Sequence, residues 1–149
     1  QLTFETGEDL GVDIHYHAIE KFPITEEEAS ALGEAGMKEA LPFLLATHNV
    51  PLKIGNSSFT LLVEDLRTFT AENGSYDLIY FDAFAPSAQP ELWSDEVFEN
   101  MYRLLAKGGI LTTYCAKGVV KRSMKAAGFE VEALPGPPRK REMTRAWKR

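Results

Sequence analysis

The stretch Tyr76-Asp77-Leu78-Ile79-Tyr80-Phe81-Asp82-Ala83-Phe84-Ala85-Pro86, continuing to Gln89-Pro90-Glu91-Leu92-Trp93, is an apolar run that stops at a carboxylate and enters an aromatic and proline loop. A run with so little polar alternation reads as a strand buried on both faces, the pattern of a parallel sheet covered by helices. In open α/β sheets ligands sit just beyond the carboxyl ends of such strands. Asp82 and Phe84 are therefore the first candidates for chemistry.

Outward from this strand, helix and strand patterns alternate. Ile14 to Ile19 is strand-like, rich in aromatic and β-branched residues, and ends at Glu20-Lys21 before Phe22-Pro23. Thr25 with Glu28 three residues on forms a capping box and starts a helix. Gly33 and Gly36 weaken it, and a second helical stretch runs from about Met37 to His48. Ser58 to Val63 is the next strand, followed by Glu64-Asp65 and an expected short helix over Leu66 to Thr70. Beyond the proline loop, Ser94 caps a helix through Leu105 that Lys107-Gly108-Gly109 is expected to stop. Ile110 to Cys115 reads as a buried strand, Lys117 to Ala127 as a helix and Phe129 to Ala133 as a strand. Pro135-Gly136-Pro137-Pro138 reads as a turn, and Glu142 to Trp147 as a returning last strand. The order implies an α/β fold, mostly parallel with an antiparallel C-terminal strand.

The 149 residues suffice for one domain with a sizeable core. No run reaches the ~18 apolar residues of a membrane-spanning helix. The single cysteine, Cys115, forbids an internal disulfide and fits a reducing cytoplasm. His15 and His17 lack a third ligand at metal-site spacing and read as packing or surface residues, so no metal is expected. The net charge of −6 is uneven: residues 1–116 hold 6 Lys or Arg against 19 Asp or Glu, and residues 117–149 hold 10 against 3. The basic final segment, with Arg139-Lys140-Arg141, Arg145, Lys148 and Arg149, is either a phosphate-binding surface or a solvated face.

Strands ending at Glu20, at Asp65 and at Asp82-Ala83-Phe84, followed by Lys107-Gly108-Gly109, resemble the Rossmann-like S-adenosylmethionine-dependent methyltransferases. Glu20-Lys21-Phe22-Pro23, Asp82-Ala83-Phe84-Ala85-Pro86 with Pro90 and Trp93, and Arg139-Lys140-Arg141-Glu142-Met143 narrow the resemblance to the MnmC methyltransferase-domain family of tRNA wobble-uridine modification. That resemblance implies cofactor contacts from Glu20 with Lys21, from Glu64, Asp65 and Leu66, and from Asp82. Glu20 would accept the ribose hydroxyls and Asp65 the adenine amino group. Asp82 would be the catalytic carboxylate. Phe84 and Pro86 would meet the base, and Arg139, Lys140 and Arg141 the tRNA phosphates.

The family's first strand and glycine-rich loop have no counterpart before Glu20. The chain is accordingly expected to be a single, N-terminally truncated methyltransferase domain over 1–149, lacking the central strand of its sheet. Its neighbours would then expose unpaired edges and favour a homodimer, and cofactor binding would be weak. An aminopropyltransferase of the spermidine-synthase kind and a non-catalytic RNA-binding fragment are the competing readings. Each site residue also has a plainer one: a helix-start charge for Glu20 and Asp65, core packing for Phe84 and Trp93, a buried bystander for Cys115.

Overall fold

A computed structural model describes residues 2–136 and 142–149. The chain forms two compact units, residues 1–66 and 67–149. Arg139, Lys140 and Arg141, with Pro137 and Pro138, lie outside the described residues.

The first unit opens with helix α1 (Leu2–Leu10) and strand β1 (His15–Ile19). Helix α2 (Glu26–Leu32) starts where its capping box requires, with Glu28 N donating to Thr25 Oγ1 and Thr25 N to Glu28 Oε2. The glycines then act as anticipated. Gly33–Met37 winds as a π turn with Gly36 at φ 103°, and a 3₁₀ turn leads into the short helix α3 (Leu41–Leu44). Strands β2 (Leu52–Ile54) and β3 (Ser57–Leu62) form a hairpin across Gly55-Asn56, with Gly55 at φ 61°. The sheet order is β1-β3-β2, with β1 parallel and β2 antiparallel to β3. Phe59, Leu61 and Ala46 form its core, with Phe4, Tyr16 and Phe43 packed against them.

The second unit contains β4 (Tyr76–Tyr80), α4 (Asp95–Leu104), β5 (Leu105–Thr113), α5 (Gly118–Ala126), β6 (Glu130–Pro135) and β7 (Glu142–Trp147). Its sheet runs β4-β5-β7-β6, with β4 parallel to β5 and the C-terminal strand β7 antiparallel to both its neighbours. Phe98, Leu104, Leu105, Leu111, Val120 and Met124 are fully buried here. Pro135 sits on the end strand β6, where a missing N–H is tolerated.

The helical stretch expected from about Met37 to His48 stops at Leu44, and the chain runs on through turns to β2; three further expectations change. Strand β4 is not buried on both faces: Leu78 and Tyr80 are 41% and 50% exposed, and among the described residues β4 pairs with β5 alone, at the end of its sheet. The Leu66–Thr70 segment is a turn rather than a helix. Side chains of α4 hold its surroundings instead, Asn100 Nδ2 donating to Phe69 O and Arg103 to Ala71 O. Lys107-Gly108-Gly109 does not stop α4, which ends at Leu104 so that the buried Leu105 can enter β5 opposite Tyr76. The glycines lie within β5, where Gly108 N donates to Lys148 O and Lys148 N to Gly109 O.

Candidate active site

In the first unit the acidic candidates cluster at the carboxyl end of β1 and β3. Glu20 N donates to Leu62 O, which carries the β1–β3 pairing one residue past the strand and brings Glu20 to the sheet edge. Its exposed carboxylate folds back so that Oε1 accepts from Phe22 N at 2.9 Å. Lys21 Nζ pairs with Asp65 Oδ2 at 2.9 Å and lies 5.3 Å from the Phe22 ring centroid. Glu64 is exposed in a bend, Asp65 is half-buried before the turn, and the half-buried Leu66 opens the turn. Asp65 is thus not a helix-start charge: there is no helix, and its partner is Lys21. A sheet edge that offers two carboxylates and exposed backbone suits the hydroxyls and amino group of a nucleoside.

In the second unit β4 ends at Tyr80, and Phe81 N still donates to Thr112 O, so Asp82 is the first residue free of the ladder. Its side chain is exposed. Phe84 is 74% exposed, which removes core packing as the reason for its ring. Trp93 is the reverse: 6% exposed, it packs edge-on against Phe81 at 5.1 Å.

Two side chains that the sequence did not single out for this purpose hold the loop between them. Trp93 Nε1 donates to Phe84 O at 2.7 Å, and Tyr114 Oη donates to Ala83 O at 2.8 Å. Burial, with smaller contributions from Cys115 and Asp82, pushes the Tyr114 hydroxyl above its usual pKa, so it remains a donor. The signal was present in the residue types, since a largely buried Trp or Tyr needs a partner for its polar atom. What could not be read was which carbonyls, 9 and 31 residues away, would supply it.

Cys115 is buried and free, and its backbone carbonyl accepts from Thr144 Oγ1. Of the basic segment, Lys121 pairs with Glu142, Arg145 with Glu132 and Arg149 with Glu130. Lys148 Nζ donates to Leu105 O at 2.8 Å. These four cations have partners within the fold, whereas Arg139, Lys140 and Arg141 lie outside the described residues.

The family model described as S-adenosyl-L-methionine-dependent methyltransferase matches residues 27–149, most of the chain and parts of both units. The chain belongs to this family of methyltransferases. This methyltransferase is 36% identical over 144 residues to the tRNA 5-methylaminomethyl-2-thiouridine biosynthesis bifunctional protein MnmC of Cupriavidus metallidurans, covering 88% of the chain and 21% of that protein. To the protein of the same name from Pseudoalteromonas atlantica it is 38% identical over 145 residues, covering 87% and 21%. The chain therefore spans about a fifth of the length of these relatives. The crystal structure of MNMC2 from Aquifex aeolicus superposes with a TM-score of 0.74 over 99% of the chain and 47% of that structure, at 24% identity. The fold is that of the Rossmann-like methyltransferases, and their cofactor is S-adenosyl-L-methionine.

Proposed function

We propose that this methyltransferase transfers a methyl group to the aminomethyl substituent of a modified wobble uridine in tRNA. The observation that carries the reading is the loop after β4, where an exposed carboxylate, Asp82, and an exposed ring, Phe84, stand on a backbone held by Trp93 and Tyr114. Relatives that are 36% and 38% identical act in tRNA 5-methylaminomethyl-2-thiouridine biosynthesis, and they supply the substrate class.

S-adenosyl-L-methionine, when bound, supplies an electrophilic methyl group. The chain's task is then to hold a neutral amine in line and keep water away. Asp82 orients the nitrogen lone pair and takes the proton lost as the nitrogen is alkylated. Phe84 stacks on the unpaired base, with Pro86 stiffening the loop beside it. Glu20 accepts the ribose hydroxyls through the oxygen that Phe22 N leaves open. Lys21 holds Asp65 in place, and Asp65 accepts from the adenine amino group, flanked by Glu64 and the Leu66 backbone. Arg139, Lys140 and Arg141 contact phosphates. The two units act as parts of one methyltransferase domain, working in the cytoplasm on tRNA, and the open edges of β1 and β4 offer pairing surfaces for a second copy.

The test is methyl transfer from labelled S-adenosyl-L-methionine to undermodified tRNA by the intact protein and its Asp82→Ala variant. Loss of a general base costs about 10²- to 10⁴-fold in rate, and because Asp82 is exposed the variant should melt with the wild type. Transfer at the wild-type rate would remove Asp82 from the mechanism. A wild type inactive on undermodified tRNA would overturn the substrate assignment.

A further inference from the structure

The positive charge of residues 117–149 is divided by the fold. On the β6–β7 side every carboxylate of this segment is taken: Glu130 by Arg149, Glu132 by Arg145 and Trp147 Nε1, and Glu142 by Lys121. The Arg145 and Arg149 guanidinium carbons also lie 4.9 Å and 5.2 Å from the Trp147 ring centroid, which fixes them further. Helix α5 differs. Lys117, Arg122 and Lys125 are exposed, and they form no ion pair among the described residues.

At 3.6 residues per turn, Lys125 and Arg122 lie about 60° apart, on the side of the helix away from the buried stripe of Val120 and Met124. Lys117 is the exposed N-cap residue of the same helix. Its position relative to the loop follows from topology. Because β4 and β5 are parallel, the segment after β5 emerges at the same sheet edge as Asp82, and the Tyr114 Oη to Ala83 O bond joins the two directly. Lys117 follows Tyr114 by three residues.

We infer that the exposed face of α5 is a docking surface for the phosphate backbone of the RNA whose base meets Phe84. The inference rests on the function proposed above and adds a second contact to it. Charge complementarity selects the occupant: uncompensated cations on a rigid helix match a polyanion, and Val119 is the exposed large apolar side chain on this helix, too little for a membrane or an apolar partner. The face gives register and affinity without reading sequence, as backbone contacts do.

The experiment measures tRNA binding by the intact protein against salt concentration, for wild type, for Lys117→Gln/Arg122→Gln/Lys125→Gln, and for Arg145→Gln. Each phosphate contact contributes about 0.7 to 0.9 to the slope of log affinity on log salt. The triple variant should lose about 2 to 3 from that slope and about ten- to a hundredfold in affinity near physiological salt, with an unchanged melting temperature. Arg145→Gln should keep the slope. A triple variant that keeps wild-type slope and affinity overturns the inference, as does one that binds tRNA normally but loses binding to anionic vesicles or to polyglutamate. A wild type that binds tRNA through α5 without methylating it would fail the proposed function alone. One that methylates tRNA with α5 neutralised and the slope unchanged would fail this inference alone.

Discussion

Tyr114, half-buried, and Trp93, buried, show how a single polar atom on a packed ring can set the geometry of an active loop. Each donates one hydrogen bond to a carbonyl flanking Phe84, and neither needs to touch substrate to matter. Tyr114→Phe keeps the ring that packs edge-on at 6.1 Å from Trp93 and removes only the donor. Denaturant unfolding should give a loss of about 0.5 to 1.5 kcal/mol, the net worth of one such bond. Steady-state methylation should show kcat falling with KM for cofactor unchanged, because the loop and not the nucleoside-binding edge has loosened. Glu20, Asp65 and Asp82 were legible from the sequence as strand-end carboxylates. The clamp was not, because it depends on contacts made 9 and 31 residues away.

Among the elements, the β4–β5 pair is the most sensitive. Gly109 allows their close approach: a Cβ there would meet Ala106 O at 2.9 Å and Asp77 O at 3.1 Å, both backbone atoms with little room to move. Gly109→Ala should cost about 1 to 3 kcal/mol by overpacking, visible as a lower denaturation midpoint, and should depress activity by displacing the strand that carries Asp82. The β6–β7 ladder holds two carboxylates that respond to acid. Hydrogen bonds from Arg149 hold Glu130 below the usual carboxylate range, and those from Arg145 and Trp147 do the same for Glu132. A carboxylate with a depressed folded-state pKa stabilises above its unfolded value, near 4.3, and that stability is lost as pH falls through the depressed value. Melting temperature followed from about pH 6 to about pH 3 should therefore fall less steeply for Glu130→Gln/Glu132→Gln than for the wild type. An equally steep fall would assign the acid sensitivity to other carboxylates.

For the molecule as a whole, charge and strand pairing set the behaviour in solution. Residues 1–66 carry 3 Lys or Arg against 12 Asp or Glu, and residues 67–149 carry 13 against 10, so a polyanion is favoured by the second unit alone. Strands β1 and β4 are end strands, and β4 presents Leu78 and Tyr80 at its surface. Sedimentation should detect concentration-dependent association of this chain, and Leu78→Lys/Tyr80→Lys should abolish it, since charge on an edge strand blocks pairing. Monomer at all concentrations would remove the edges as a homodimer surface.

The sequence by itself determined most of the helices and strands, though not α1, β2 or the turn at Leu66, together with the capping box at Thr25, the family, and the carboxylates at the strand ends. These depend on local periodicity, on turn chemistry and on motifs a few residues long. Only the tertiary structure decided that β4 leaves Leu78 and Tyr80 exposed, and that Lys121, Arg145 and Arg149 pair with neighbouring carboxylates while Lys117, Arg122 and Lys125 form no ion pair among the described residues. It also supplied the two rings that hold the Asp82 loop. Each of these depends on which distant residue lies opposite. Strand partners, ion pairs and buried donors are chosen by packing, and a one-dimensional pattern carries no term for that choice.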